Sequence, residues 1–570
     1  MKKLYIALAL LCAALSAGAQ NMYDAMTFSQ NIYSGSARTI ALGGAVTAVG
    51  GDLGTIGVNP AGSAVAGYSQ LTISPGLSLS ASTSSWSSVG ETQWGAGNDV
   101  THSRAYLPNL GISFNMETGR SWGLKSLTFA FVSNHTCNYD NRFTGFGTNS
   151  ATSRFGEFAV ASTGIPCSTL GDYDSFYNSD VSWDLLTGYN AGLFSDFGDG
   201  NTYVGSSEMI SEDGKFCYVP GPLAQMSEVV KTGYKSDILL NMGLNFDDTF
   251  YLGLNLGMPS GEYQVGEYYT ESAVSPDLFP ITFKEGGKEY PTEFVGGTFD
   301  YRYTADISGV YAKLGAIWLP GDNLRIGAAV QTPTVYTIKE QWQYSASSSF
   351  GESLFDSWCD SPLGEYTYCL YSPWMLNVGL AWTFGAYGLL SVDYEMTDYS
   401  VMKFTDLYEN YYDTDIYREQ NEVNSLFAGR SHNLRVGGEL RLFPDLSLRA
   451  GVSLLTSPER HYTDSRGSDV TADVYLSNYE EYHSRITEIG SAQYYRDLTT
   501  SFSAGLGYSS PGSFFADLAL RATKYPQSYF SPYYDYENFN AAGILVNASS
   551  PRIRTDRSLW ELVATVGWRF

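Results

Sequence analysis

In the C-terminal stretch SLWELVATVGWRF, the residues Trp560, Leu562, Ala564, Val566, Trp568 and Phe570 fall at every second position, and Glu561, Val563, Thr565, Gly567 and Arg569 fall between them. Successive side chains of a β-strand point to opposite faces, so this strand keeps one face apolar and places its charges on the other. The pattern recurs along the chain. Ile238, Leu240, Met242, Leu244 and Phe246 alternate with Leu239, Asn241, Gly243 and Asn245, and beyond Asp247-Asp248 the set resumes with Phe250, Leu252, Leu254, Leu256 and Met258. Further pairs flank PGDN, GAYG, FPDL and SSPG. Alternation over about ten residues, repeated many times, is the mark of a transmembrane β-barrel. A soluble β-sandwich also alternates. Here, however, tight turns join the strands at one end while long segments rich in Tyr, Asp and Ser join them at the other, an asymmetry that belongs to outer-membrane barrels.

Strand starts near residues 69, 104, 122, 234, 249, 295, 323, 370, 386, 430, 445, 496, 513 and 557 predict an all-β fold, a transmembrane antiparallel barrel of about fourteen strands over 69–570, whose largest loop spans about 138–232. Its inward faces carry charge, and Lys313, Arg325, Arg435 and Glu439 are candidate lumen-lining residues. Trp568 and Phe570 are the expected C-terminal signal for the barrel-assembly machinery.

Composition agrees with this class. Charged residues make up 16% and aromatics 15%, with 44 Tyr and 59 Gly, which suits a turn-rich β protein and not a helical enzyme. A formal charge of −26 excludes nucleic acid as a partner, because that affinity rests on Lys and Arg neutralising phosphates. The opening MKKLYIALALLCAALSAGAQ has a basic start, an apolar run and an A-x-A arrangement at Ala17 and Ala19, so residues 1–19 read as a secretory signal peptide. No other run reaches the roughly 18 apolar residues of a membrane helix. A closed barrel is then the remaining way for an exported chain to cross a bilayer, since it pairs every backbone group without helices. Cys359 and Cys369 could close a short loop; no Cys/His cluster suggests a metal, and no cofactor is expected.

Residues 20–68 read differently. SGSARTIALGGAVTAVGGDLGTIGVNPAGSAVAG is small, rich in glycine and nearly uncharged, too apolar for a solvated linker and suited to packing inside the lumen as a plug. Gly35-Ser36-Ala37-Arg38, Gly43-Gly44-Ala45, Asp52 and above all Asn59-Pro60-Ala61-Gly62 resemble the N-terminal hatch of the FadL/OmpP1/TodX family of outer-membrane transporters. That resemblance implies a fourteen-stranded barrel with a small hatch, hydrophobic compounds such as long-chain fatty acids as cargo, and hatch or gating roles for Arg38, Asn59, Pro60, Ala61 and Gly62. It also implies that Asn59, Pro60 and Ala61 lie near a kink in the third strand, and the alternation of WGLKSLTFAFVSN does falter around Gly123 to Ser126.

The expected function is passive uptake of lipophilic molecules by a monomer in the outer membrane of a Gram-negative bacterium, in contact with membrane lipid and lipopolysaccharide, with both termini periplasmic. A porin for polar solutes and a surface ligand-binding or adhesion barrel are the alternatives. A barrel lipase or deacylase ranks below these, because Ser431 and His432 are adjacent on a strand and so face opposite ways. The expectation is therefore not an enzyme.

Overall fold

The computed structural model describes residues 21–90, 92–285, 288–407, 417–463, 469–472, 475, 490–492, 497–546 and 549–570. The expected signal peptide, and most of the tyrosine-rich stretches at 409–417 and 477–483, lie outside the described residues.

Fourteen antiparallel strands close into a barrel: β1 (Gln70–Ser87), β2 (Gly97–Glu117), β3 (Leu124–Asn138), β4 (Leu223–Phe246), β5 (Phe250–Ala273), β6 (Lys288–Trp318), β7 (Leu324–Gln331), β8 (Met375–Thr383), β9 (Gly388–Asp398), β10 (Arg430–Phe443), β11 (Leu446–Thr456), β12 (Leu498–Ser509), β13 (Phe514–Lys524) and β14 (Arg552–Arg569). Closure pairs β1 with β14, where Leu71 sits opposite Trp568 and Leu79 opposite Trp560. Outward positions such as Leu77, Leu254, Leu314, Leu380, Leu518 and Leu562 are exposed, whereas their inward neighbours Ser78, Asn255, Lys313, Ala381, Ala519 and Val563 are buried. An apolar belt thus faces out and a packed, polar interior faces in, the distribution a bilayer demands.

The turns follow from local chemistry. Asp247 and Asp248 both hold φ of 55° in the three-residue β4–β5 connection, a left-handed pair that Asp tolerates, and the Thr249 N–H closes the turn on Phe246 O at 3.1 Å. Each carboxylate then finds a donor, with the Gly123 N–H 2.7 Å from Asp247 and the Lys125 ammonium 2.6 Å from Asp248.

Pairing continues well past the belt on the long-loop side. β4 and β5 each run for 24 residues and β6 for 31, and the β4–β5 pairing extends to Ala273 opposite Leu223. Residues 141–149 add a further strand on β4, so much of the expected 138–232 loop is sheet. The rest carries short helices, among them Arg154–Ala161 and Trp183–Asn190, whose Phe155, Phe158 and Leu186 form with Phe194 beyond them the core of a cap packed on the extended sheet. Three neighbouring strands are interrupted at one height. β7 resumes after Pro333 as Val335–Phe350, β8 is preceded across Pro373 by Gly364–Tyr371, and β9 resumes as Lys403–Asp406. Proline supplies no N–H to a ladder, and beside the breaks the Ser372 hydroxyl accepts the Thr334 N–H at 2.9 Å.

Candidate functional site: the filled lumen and the break between β2 and β3

The segment from Asn21 to Tyr68 contributes two helices, α1 (Met22–Ser29) and α2 (Ala37–Ala41), and two short 3-10 turns at Leu53–Thr55 and Pro60–Ser63. Side chains cap each of these elements: Asn21 and Asp24 form a capping box on α1, and Ser36, Asp52 and Asn59 accept the first free N–H groups of the others. Most of the segment is buried, and it lies directly on the inner wall.

Glycine makes that close approach possible. Gly253, Gly315, Gly327, Gly437 and Gly451 face inward, and a methyl group on any of them would overlap Pro60, Asn59, Thr47, Leu42 or Gly43 respectively. Register places these glycines at neighbouring heights, with Gly243 opposite Gly253, Gly253 opposite Gly315, Gly327 opposite Gly379 and Gly437 opposite Gly451. A bare strip of wall thus receives the segment's backbone, and wall side chains satisfy the polar groups so buried. Lys235 Nζ donates to the carbonyls of Phe28 (2.6 Å) and Gln30 (2.8 Å). Asn255 donates to Ile56 O at 2.9 Å, Asn241 to Pro60 O at 3.0 Å, and Asp393 accepts the Thr47 N–H at 2.7 Å.

The candidate residues take definite places in this arrangement. Arg38 Nε lies 3.1 Å from Glu439 Oε2, and Arg449 Nε reaches the same oxygen at 2.7 Å while its other arm pairs with Asp517. Lys313 donates to Gly57 O at 2.8 Å and Arg325 to Val49 O at 2.9 Å. Arg435 pairs with Glu395 and packs against Gly44. These four expected lumen-lining groups are therefore engaged with the N-terminal segment or with one another. Asn59 donates to Thr47 O at 2.7 Å and to Ala316 O on β6 at 3.1 Å, and its own oxygen caps the turn containing Pro60, Ala61 and Gly62. Trp568 and Phe570 stand exposed at the short-turn end, where the Phe570 N–H closes on Ser69 O at 3.0 Å.

Asn59 and Pro60 lie against Gly315 on β6 and Gly253 on β5, and the turn Pro60–Ser63 also neighbours β3 and β4. The described N-terminal end lies at the long-loop mouth and not the short-turn face: the Tyr23 hydroxyl donates to Glu459, just beyond the top of β11, at 2.9 Å, and Met22, Ala25 and Phe28 share a core with Tyr336, Tyr368 and Phe404 of the strand extensions and with the helix Arg418–Phe427. A buried apolar face on α1 has no counterpart in the glycine-rich run that follows, which is why sequence gave no sign of its position. Cys359 and Cys369 do not bridge; the five cysteines among the described residues are free thiols.

The third strand is irregular in two places. One shift in its register on β4 falls at Leu124/Ser126, where the alternation falters, and the second at His135/Cys137. Only the second changes the wall. β2 pairs with β3 from Asn109 opposite Asn134 down to Glu117 opposite Ser126, and above this, among the described residues, 97–106 of β2 pair with β1 alone. β3 leaves the wall there and turns across the inner face of β1. Asn138 reaches Ser78 at 3.3 Å, and Ser80, Ser82 and Ser84 donate in turn to the carbonyls of Asp140, Arg142 and Thr144. The carbonyls of His135 and Thr136, released from the ladder, accept the N–H groups of Ser34 (3.1 Å) and Ile32 (2.7 Å) of the N-terminal segment.

Side chains bridge the separation. The Tyr106 ring of β2 meets the His135 ring at 4.9 Å, and His135 stacks near Tyr234 of β4 at 6.4 Å. Arg104 lies over Tyr234 at 5.2 Å and donates to Gly233 O at 3.2 Å. The Tyr106 hydroxyl donates to Glu561 at 2.7 Å, and Arg521 holds that carboxylate at 2.6 Å while also donating to Tyr33 O and Ser34. None of these was singled out from sequence except as inward charge, because β-bulges and strand departures leave little trace in an alternation pattern.

No protein-family model matches the sequence, and no curated protein matches it. Among solved structures, a Pseudomonas aeruginosa FadL homologue superposes with a TM-score of 0.50 at 10% identity, covering 95% of this chain and 100% of its own. The P. putida toluene transporter TodX gives 0.45 at 11% identity over 95% of this chain and 99% of its own, and the CymD monoaromatic hydrocarbon channel gives 0.43 at 10% over 94% and 98%. The fourteen-strand closure and the superposition on the P. aeruginosa homologue along almost the whole chain lead to one conclusion: this protein has the fold of a FadL-type barrel.

Proposed function

We propose that the protein is an outer-membrane channel for passive uptake of hydrophobic compounds, long-chain fatty acids or similar lipophiles, in which residues 20–68 act as a hatch and cargo leaves sideways between β2 and β3. The observation that carries this reading is the unpaired upper half of β2 beside the inward turn of β3. A transmembrane barrel normally pairs every edge, because an unpaired backbone group facing hydrocarbon costs several kcal/mol. An edge left open beside the outward Leu107 and Leu110 is costly for a pore that passes solutes along its axis, and useful for one that releases apolar cargo into the bilayer. The lumen beneath is filled, and its charges are spent on holding the filling. Transport then needs no energy source, only binding sites of graded affinity and a shift of the hatch.

The test is entry of a long-chain fatty acid into liposomes carrying the purified protein, alongside conductance in planar bilayers. Saturable, protein-dependent entry with little steady conductance supports the proposal. Large open conductance with no fatty-acid effect would make the protein a porin.

A further inference from the structure

We propose that His135 is a specificity-determining residue of the sideways exit, and that its imidazole selects lipophiles carrying one hydrogen-bonding head, a hydroxyl or a carboxyl, over bare hydrocarbons. The inference rests on the exit reading above and names the chemistry that the exit would recognise.

His135 sits where β3 leaves the wall, with its ring between Tyr106 of β2 and Tyr234 of β4. It is 5% exposed, and its Nε2 is buried without a hydrogen-bond partner. Neighbouring polar groups are already committed: the Tyr106 hydroxyl to Glu561, Arg521 to Glu561 and Ser34, and Arg104 to Gly233 O. A buried polar atom left alone is disfavoured, and an apolar ring would fill the space between two tyrosines without that cost. A partner that arrives with the cargo accounts for the imidazole. A neutral ring nitrogen is either a donor or an acceptor, and a hydroxyl or protonated carboxyl can answer both, whereas an alkane answers neither. The head would meet Nε2 while the tail lies against the outer face of the break. Because the His135 carbonyl accepts the Ser34 N–H, the same residue is also tied to the hatch, so displacement of residues 32–34 would move the ring.

The experiment compares initial rates of protein-dependent entry of dodecan-1-ol and dodecane into proteoliposomes for the full chain and for His135→Phe and His135→Gln. The wild type should favour the alcohol about fivefold, the scale of one net hydrogen bond. His135→Phe should erase the preference, bringing the ratio of alcohol to dodecane entry to about one, and His135→Gln should keep most of it. Equal rates in the wild type, or a preference that survives in a folded His135→Phe barrel, would overturn the inference while leaving the channel reading intact. Entry of neither probe would overturn the channel reading itself. Should His135→Phe not fold, the 15N resonance of His135 Nε2 in the wild type decides: it should shift with dodecan-1-ol and not with dodecane, and no shift with either overturns the assignment.

Discussion

Arg38, on a helix inside the lumen, and Glu439, on the wall strand β10, are 401 positions apart and form an ion pair of 3.1 Å. The carboxylate also holds Arg449 of β11, so one buried anion ties the N-terminal segment to two neighbouring strands. Replacing Arg38 with Gln should keep the barrel folded, because Glu439 retains Arg449, but should weaken the attachment by about 2 kcal/mol, the scale of a lost charge-assisted hydrogen bond. The expected readout is a higher frequency of conducting openings in planar bilayers; a silent Arg38→Gln barrel would show that the pair does not hold the segment in place.

The bare strip of wall makes a second expectation. In Gly437→Ala the new methyl group meets the Leu42 carbonyl, whereas beside it Gly438 has nothing nearer than 3.8 Å. Overpacking of this kind costs about 1–3 kcal/mol. Gly437→Ala should therefore lower the thermal midpoint and raise conductance, and Gly438→Ala should match the wild type in both.

Asn59 binds two carbonyls, one on the segment and one on β6, and caps the turn that Pro60 begins. The double variant Asn59→Ala with Pro60→Ala should remain a folded, heat-modifiable barrel and lose hydrophobic entry severalfold, since the turn no longer returns to one position on the wall. Unchanged entry in a folded double variant would remove this turn from gating.

The cap responds to pH through two carboxyls outside the membrane belt. Burial pushes Glu157 up to about 7, with Arg154 opposing, and burial likewise pushes Glu208 up to about 7, with the Gly205 N–H and the Tyr536 hydroxyl opposing. A carboxyl whose folded pKa is raised favours the folded cap while protonated, and this contribution is lost as pH rises from about 4.5 through 7. The loss is up to about 3 kcal/mol for each group. Proteolysis of the cap should be slower at pH 5 than at pH 8, and Glu157→Gln with Glu208→Gln should flatten the difference.

Much of the barrel was legible because the bilayer imposes a rule on every membrane-level strand: Leu252, Leu254 and Leu256 must face out and the residues between them must not. Beyond the belt that rule lapses. Tyr263, Tyr269, Tyr301 and Tyr303 pack inward on strands that simply keep pairing, so β4 and β6 begin earlier than alternation indicates. Small residues announced a close-packed N-terminal segment, but the matching glycines of the wall were visible only as members of the alternating sets. Their meaning would have been open to a reader who aligned the hairpins, since Gly243 and Gly253 fall symmetrically about Asp248, and Gly437 and Gly451 about the β10–β11 turn. The departure of β3 at His135 was not legible, because it depends on β1 offering Ser80, Ser82 and Ser84 to a strand far away in sequence.

The central claim is that cargo leaves between β2 and β3, and the most direct measurement is to lock that seam and follow transport. Arg104 of β2 and Tyr234 of β4 approach each other across the gap that β3 leaves where it turns inward. Both would be replaced by cysteine, in a background whose native cysteines are serine, and joined by a cleavable bifunctional thiol reagent. Protein-dependent fatty-acid entry into liposomes should stop on cross-linking and return on cleavage, with no change in conductance. Entry that continues at the original rate through a fully cross-linked seam would contradict the account and send the cargo along the barrel axis.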